Sequence, residues 1–165
     1  MLVLRGDMMM LPTEIDKKTL DIVQELVEAN FGGRDELYAA ADSMDKEDSQ
    51  RICRRLADFL ADNAIRLQQM LAASGNEAAG PLDIDAIIAA LFKAVKARHG
   101  AAGVIEVAEE AQRDLKHGYD RAIEEASEPQ AEGVLREQRD RVEFSEQVLR
   151  SIKPSQTKKP NPKKR

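Results

Sequence analysis

Apolar side chains return at intervals of three and four through four long stretches of this chain, and the connections between those stretches leave few ways to fold it. Helix 1 is expected over residues 16–42, behind Pro12-Thr13 and an acidic first turn. Its stripe reads Leu20, Val23, Val27, Asn30, Arg34, Leu37, Ala41 or, in a second register, Val23, Leu26, Asn30, Gly33, Leu37, Ala40. Gly32 and Gly33 each cost about 1 kcal/mol against alanine and imply a kink or a close helix contact. Helix 2, over 46–74 with Asp45 as its expected cap, carries Ile52, Leu56, Phe59, Leu60, Asn63, Leu67 and Met70. Helix 3, over 102–126, carries Ile105, Ala108, Gln112, Leu115, Tyr119 and Ala122, and helix 4, ending before Pro154, carries Leu135, Gln138, Val142, Ser145, Leu149 and Ile152. A capping box of Ser127 and Gln130 around Pro129 is expected to open helix 4.

Helices 1 and 2 are joined by a few residues near Ser43, and helices 3 and 4 by a tight turn, so each pair forms an antiparallel hairpin. The hairpins are separated by roughly 26 residues, enough extended chain at ~3.3 Å per residue to traverse a bundle about 40 Å tall. Within that connection, after the break from Gly75 to Pro81, residues 84–97 form a short helix whose IIAALF core is apolar almost all round. Such a segment must be covered, either by packing across one end of the bundle or in a dimer contact through Ile87, Ile88, Leu91 and Phe92. The expected architecture is therefore all-α: a ferritin-like four-helix bundle with a short extra helix in the long crossover between helices 2 and 3.

Composition agrees with one helical domain. The chain has 165 residues, 33% of them charged and only 4% aromatic, and its abundant Ala, Leu, Glu, Arg and Lys favour helix. The domain spans 13–153, between an irregular segment, 1–12, and a tail, 154–165, rich in proline and lysine and expected to be disordered. The net charge of −5 conceals an asymmetry: without Lys158, Lys159, Lys163, Lys164 and Arg165, the chain carries 20 basic and 30 acidic residues, a balance of −10. Such a body repels phosphate, whereas the tail reads as a solvating terminus, the alternative being weak binding of an anionic partner without sequence choice. One cysteine excludes an internal disulfide and fits a reducing compartment. With no signal-like or spanning run, the expectation is a cytoplasmic protein away from membranes.

Asn30, Asn63, Gln112 and Ser145 fall near the middle of four different stripes, where a bundle builds its metal or cofactor sites. Neutral amides and a hydroxyl lack the charge and basicity of metal ligands. They are expected to form an interior hydrogen-bonded layer that sets helix register, or else to lie at stripe edges against water.

The phrases KKTLDIVQELVEANFGGRDELYAAAD, LADFLADNAIRLQQML and GYDRAIEEA, with the short helix before the last, resemble a bacterial family of ferritin-like bundles, domain of unknown function two-three-eight-three. The resemblance covers residues 13–153. It implies an accessory role, connected with stress, for a protein whose di-iron relatives use a Glu on each of two helices and a Glu-x-x-His pair on each of the others. Laid on this chain, that pattern falls on Asn30, Gln112, Leu60 with Asn63, and Val142 with Ser145. None of these six is a carboxylate or an imidazole.

Other chemistry-bearing residues have plainer readings. Glu106, Glu109 and Glu110 near His117, and Asp140, Glu143 and Glu146, read as solvated faces, with Glu109 and Glu146 the pair that a rotated helix would turn inward toward a metal or Arg34. His99 and His117 read as surface residues. Cys53 reads as packing, with Arg51, Arg54 and Arg55 close enough in sequence to leave redox reactivity open. No phosphate loop, dinucleotide fingerprint or nucleophile motif is present. The expected protein has no cofactor and acts through protein contacts, as a homo-oligomer or with another partner. The alternatives are a di-metal protein on noncanonical carboxylates and a tail-mediated nucleic-acid binder.

Overall fold

The computed structural model describes residues 15–154. Among them lie four helices: α1 (Lys17–Asp42), α2 (Glu47–Ala73), α3 (Asp85–Glu125) and α4 (Pro129–Ile152). Asp16 caps α1, its Oδ1 accepting the Thr19 N–H at 2.7 Å, while the first helical turn itself holds no acid. The two other expected caps do not form. The residue preceding α2 is Lys46, without a side-chain cap bond, because Asp45 turns instead to Lys96, 3.0 Å away. At α4 the capping position is Glu128, also without a cap bond, with Pro129 at the start of the helix. Pro129 itself has no N–H to satisfy, which lightens the need for a cap there.

In the bundle α1 packs against α2 and α3, and α4 against α3 and α2. Cross-helix contacts give the directions. Asn30 meets Asn63, and Arg54 meets Asp42, so α1 and α2 run antiparallel. Lys18 meets Glu125 and Asn30 meets Tyr119, while Arg113 meets Glu146 and Arg139 meets Asp120. Arg66 meets Glu137 across the fourth seam. Every neighbouring pair is antiparallel, and α1 and α4 stand on a diagonal.

Burial selects the second register for α1, with Val23, Leu26, Asn30, Gly33, Leu37 and Ala40 all inside. Gly33 is there because α2 comes close: a Cβ at that position would lie 2.8 Å from Leu60 Cδ1. The glycine pair therefore marks a helix contact, and α1 runs through it unbroken. On α2 the buried face is centred on Cys53, Leu56, Leu60, Asn63, Leu67 and Leu71, leaving Ile52, Phe59 and Met70 at its margin.

The connection from α2 to α3 runs beside α1. Its start is held by Gln24, whose Nε2 donates to the Glu77 carbonyl at 2.6 Å and whose Oε1 accepts the Ala79 N–H at 2.6 Å. Its far end is held by the Lys96–Asp45 pair. Residues 85–99 are helical and pass into 101–125 through Gly100, where φ is 69° and ψ is −170°. Only glycine adopts that conformation at low cost, so the break is written into the sequence at this position. Along 85–99 the apolar set divides: Ile88 and Phe92 are buried in the chain's own core, whereas Ile87 and Leu91 are 70% and 54% exposed. The expected contact of all four with a partner is thus corrected, since two of them already cover the bundle. Among the described residues, no helix is long and apolar enough to cross a membrane. The segment 1–12 and the tail from residue 155 on, including Lys158, Lys159, Lys163, Lys164 and Arg165, lie outside the described residues.

Candidate functional site

One polar side chain from each helix meets at the centre of the bundle. Asn30 on α1 donates through Nδ2 to the Tyr119 hydroxyl on α3 at 2.8 Å, and to its own Leu26 carbonyl at 2.7 Å. The Tyr119 hydroxyl donates to Gln138 Oε1 on α4 at 2.7 Å. Gln138 Nε2 donates to the Asn63 carbonyl oxygen on α2 at 3.2 Å, and Asn63 Nδ2 returns to Asn30 Oδ1 at 3.4 Å. The bonds close a ring through all four helices. Its members are no more than 1% exposed, so each link is made where water does not compete.

This ring contains two of the four expected residues. Asn30 and Asn63 are in it, but Gln112 and Ser145 are not, although both are buried. Gln112 lies beside Gly33, near Leu60, and its Oε1 has no hydrogen-bond partner. Ser145 donates to the Arg141 carbonyl of its own helix at 3.0 Å, a bond that needs no neighbour. Tyr119 and Gln138 take their places. Both were visible as stripe residues, and both sit two helical turns, seven residues, from the ones expected. The reason is symmetric: within the hairpin of α3 and α4, Gln112 faces the level of Ser145, and Tyr119 faces that of Gln138. The turn pairs each set equally well, and only the height of one hairpin against the other decides which set meets Asn30 and Asn63.

The electrostatics of the ring are those of a neutral, desolvated site. Burial pushes the Tyr119 hydroxyl well above the usual phenol range, and the bond from Asn30 offsets this only in part. Tyr119 therefore stays protonated as a donor to Gln138. Asn63 Oδ1, like Gln112 Oε1, has no donor in reach. Ring members thus offer a metal only amide and phenol oxygens, most of them already engaged.

Glu109 and Glu146, expected on solvated faces, are instead buried, at 8% and 6% exposure. Arginines hold them. Glu146 Oε1 pairs with Arg113 at 3.3 Å and with Arg150 at 3.1 Å, and Arg150 also reaches Glu109 Oε2 at 3.6 Å. Two cations between and beside the acids satisfy them as an ion-pair cluster. Arg34 does not join them: it pairs with Asp35 at 2.9 Å and lies 4.9 Å over the Phe31 ring. Glu106 pairs with Lys153, and Glu143 with Lys116 and Arg139. Glu110, Asp140, His99 and His117 are exposed. Among the described residues, no group of three or more His, Cys, Asp or Glu is placed to hold a metal ion.

Among the hollows on the surface of the described residues, two are the best defined by their lining. A groove of about 370 Å³ between α1 and α3 is floored by small residues, including Gly32 and Gly118, with Glu36 and Asp114 at its side. Burial, then the neighbouring Asp114 charge, raises the Glu36 carboxyl above the ordinary range. The second, of about 800 Å³, lies where the turn between α1 and α2, Gly100 and the end of α4 come together. The second has Ser49, Ser151 and His99 in its lining, and Ser151 donates to the Val148 carbonyl of its own helix at 2.6 Å rather than to the imidazole.

Cys53 is fully buried, and desolvation pushes its thiol up to about 11. Its sequence neighbours are directed elsewhere, Arg51 to Glu47 and Asp48 and Arg54 to Asp42, so they do not activate the sulfur. In the native protein Cys53 is expected to resist alkylation by iodoacetamide at pH 8 and to react fully in denaturant; equal rates in both conditions would contradict its burial. The unfolded thiol ionises near 9 and the folded one near 11, so above pH 9 the unfolded state sheds its proton first. Stability is therefore expected to fall as pH rises from 9 toward 11, and Cys53→Ala removes that part of the decline in urea titrations.

Comparison with known proteins yields no match, whether to a family model, to a curated protein or to a solved structure.

Proposed function

We propose that this protein is a non-enzymatic bundle of ferritin-like topology, with the helix before Gly100 as the extra element of its crossover, and that it acts through protein contacts. The single observation that carries the reading is the closed ring of Asn30, Tyr119, Gln138 and Asn63. It occupies the bundle centre with neutral groups bonded to one another. A di-metal centre in a bundle of this kind needs inward-facing carboxylates and imidazoles, and the ring uses that space to tie four helices in one register instead. Four antiparallel seams and a crossover lying along α1 support the topology, as does the resemblance to the bacterial domain of unknown function two-three-eight-three. A buried, unactivated lone cysteine supports a cytoplasmic setting.

The test is metal content. Protein purified from iron-supplemented cells, and separately loaded with ferrous iron or manganese, is expected to retain a stoichiometry near zero and to show no ligand-to-metal absorption in the near ultraviolet. Retention of a full pair of ions per chain, lost on Glu109→Gln with Glu146→Gln, would overturn the reading in favour of a di-metal protein on those carboxylates.

A further inference from the structure

We infer that the outer face of residues 83–98 binds a second copy of this chain, helix against helix and antiparallel. The face presents Asp83 just ahead of α3, then Ile87, Ala90, Leu91, Ala94 and Arg98, all exposed. It is distinct from the inner face, where Ile88 and Phe92 are buried. Within the helix Ile87, Ala90, Leu91 and Ala94 recur at gaps of three, one and three, a spacing that reads the same in both directions, and Asp83, ahead of the helix, and Arg98 each stand four residues beyond its ends. A two-fold axis between Ala90 and Leu91 therefore superposes the pattern on itself. In that arrangement Asp83 meets the partner's Arg98 at both ends, Ile87 meets the partner's Ala94, and Leu91 meets the partner's Ala90.

Charge complementarity selects a second copy over an unrelated occupant. Among the described residues, neither Asp83 nor Arg98 has an ion-pair partner in its own chain, although Lys96, one turn from the face, does. The acid lies at the N-terminal end of the apolar strip and the base at its C-terminal end, so one copy supplies what the other lacks only when the two run antiparallel. Small Ala90 and Ala94 opposite large Leu91 and Ile87 let the helices approach closely, and antiparallel helix dipoles add to the attraction. A two-fold contact of this type is self-complementary, as closed homodimers require. One helix pair is a small interface, so the association belongs in the micromolar range of dissociation constants.

The inference names the partner in the contact reading above, and it is separable from it, because metal content and mass are measured independently. Light scattering coupled to size exclusion, on the full chain from about 5 to 200 µM, is expected to show a mass rising from 18.3 kDa toward twice that value. Asp83→Arg or Arg98→Asp alone places like charges together at both ends and is expected to raise the dissociation constant about tenfold or more. The double variant D83R/R98D restores pairing with the charges exchanged. Leu91→Glu, on an exposed position, is expected to give a monomer with unchanged helicity by circular dichroism. A monomeric mass throughout that range overturns the inference, as does a dimer indifferent to Leu91→Glu or a charge-exchanged variant that fails to recover.

Discussion

Tyr119→Phe is expected to lower the free energy of unfolding by about 3 kcal/mol, although it deletes a single oxygen. That oxygen accepts from Asn30 and donates to Gln138, so its loss opens the ring and leaves one amide hydrogen and one amide oxygen unpaired. Buried polar groups left without partners cost about 1–3 kcal/mol each, and with every ring member inside, water cannot replace the missing bond without disrupting packing. The comparison that separates this from a general cost of altering the core is Gln112→Leu. Gln112 is as deeply buried, yet its Oε1 already lacks a donor, so an apolar replacement is expected to be neutral or stabilising. Urea titrations with unchanged slopes would measure both. A loss below about 0.5 kcal/mol for Tyr119→Phe would mean that the ring contributes nothing beyond its contacts.

Phe92→Ala is expected to cost about 3–5 kcal/mol, the range for truncating a fully buried aromatic residue. Phe92 is 1% exposed and, with buried Ile88 and the half-buried Ile84 and Val95, forms the apolar attachment of the crossover helix to the bundle. Its polar attachments are the Gln24 bonds and the bond from Gln68 Nε2 to the Ala79 carbonyl, 2.9 Å, at one end and the largely exposed Lys96–Asp45 pair at the other. Exposed pairs contribute little, so the crossover depends on this ring. Hydrogen exchange should therefore show residues 85–99 losing protection before α1 or α4 does. Leu91→Ala, on the opposite face of the same segment, is expected to leave the stability of the monomer nearly unchanged. Equal losses at the two positions would contradict the division of faces.

Helix extents were legible in the sequence to within a residue or two because the signals that set them are local: the break after α2 and Pro129 each act within a turn of their own position, and the four stripes brought every ring member onto a buried face. The caps were not, since Asp16 rather than Asp45 or Ser127 makes a capping bond, and the turn at Gly100 was seen only in the structure. The reading of the stripe residues at the centre as uncharged was equally available, since Asn30, Asn63, Gln112, Tyr119, Gln138 and Ser145 are neutral at either hairpin height, whereas the burial of Glu109 and Glu146 beside the stripes was not.

What the sequence by itself determined, then, is where helices begin and end, which side of each is apolar, and which residues face one another within a hairpin. The tertiary structure alone decided that Tyr119 and Gln138, rather than Gln112 and Ser145, complete the ring with Asn30 and Asn63. It also decided that Ile88 and Phe92 point in while Ile87 and Leu91 point out. The physical reason is common to both. A helix with a periodic stripe can slide by two turns and keep its apolar face inward, and a segment that is apolar all round has no face to read, so height and rotation are set by contacts distant in sequence: Gly118 against Leu26, Gln24 with Glu77 and Ala79, and Asp45 with Lys96.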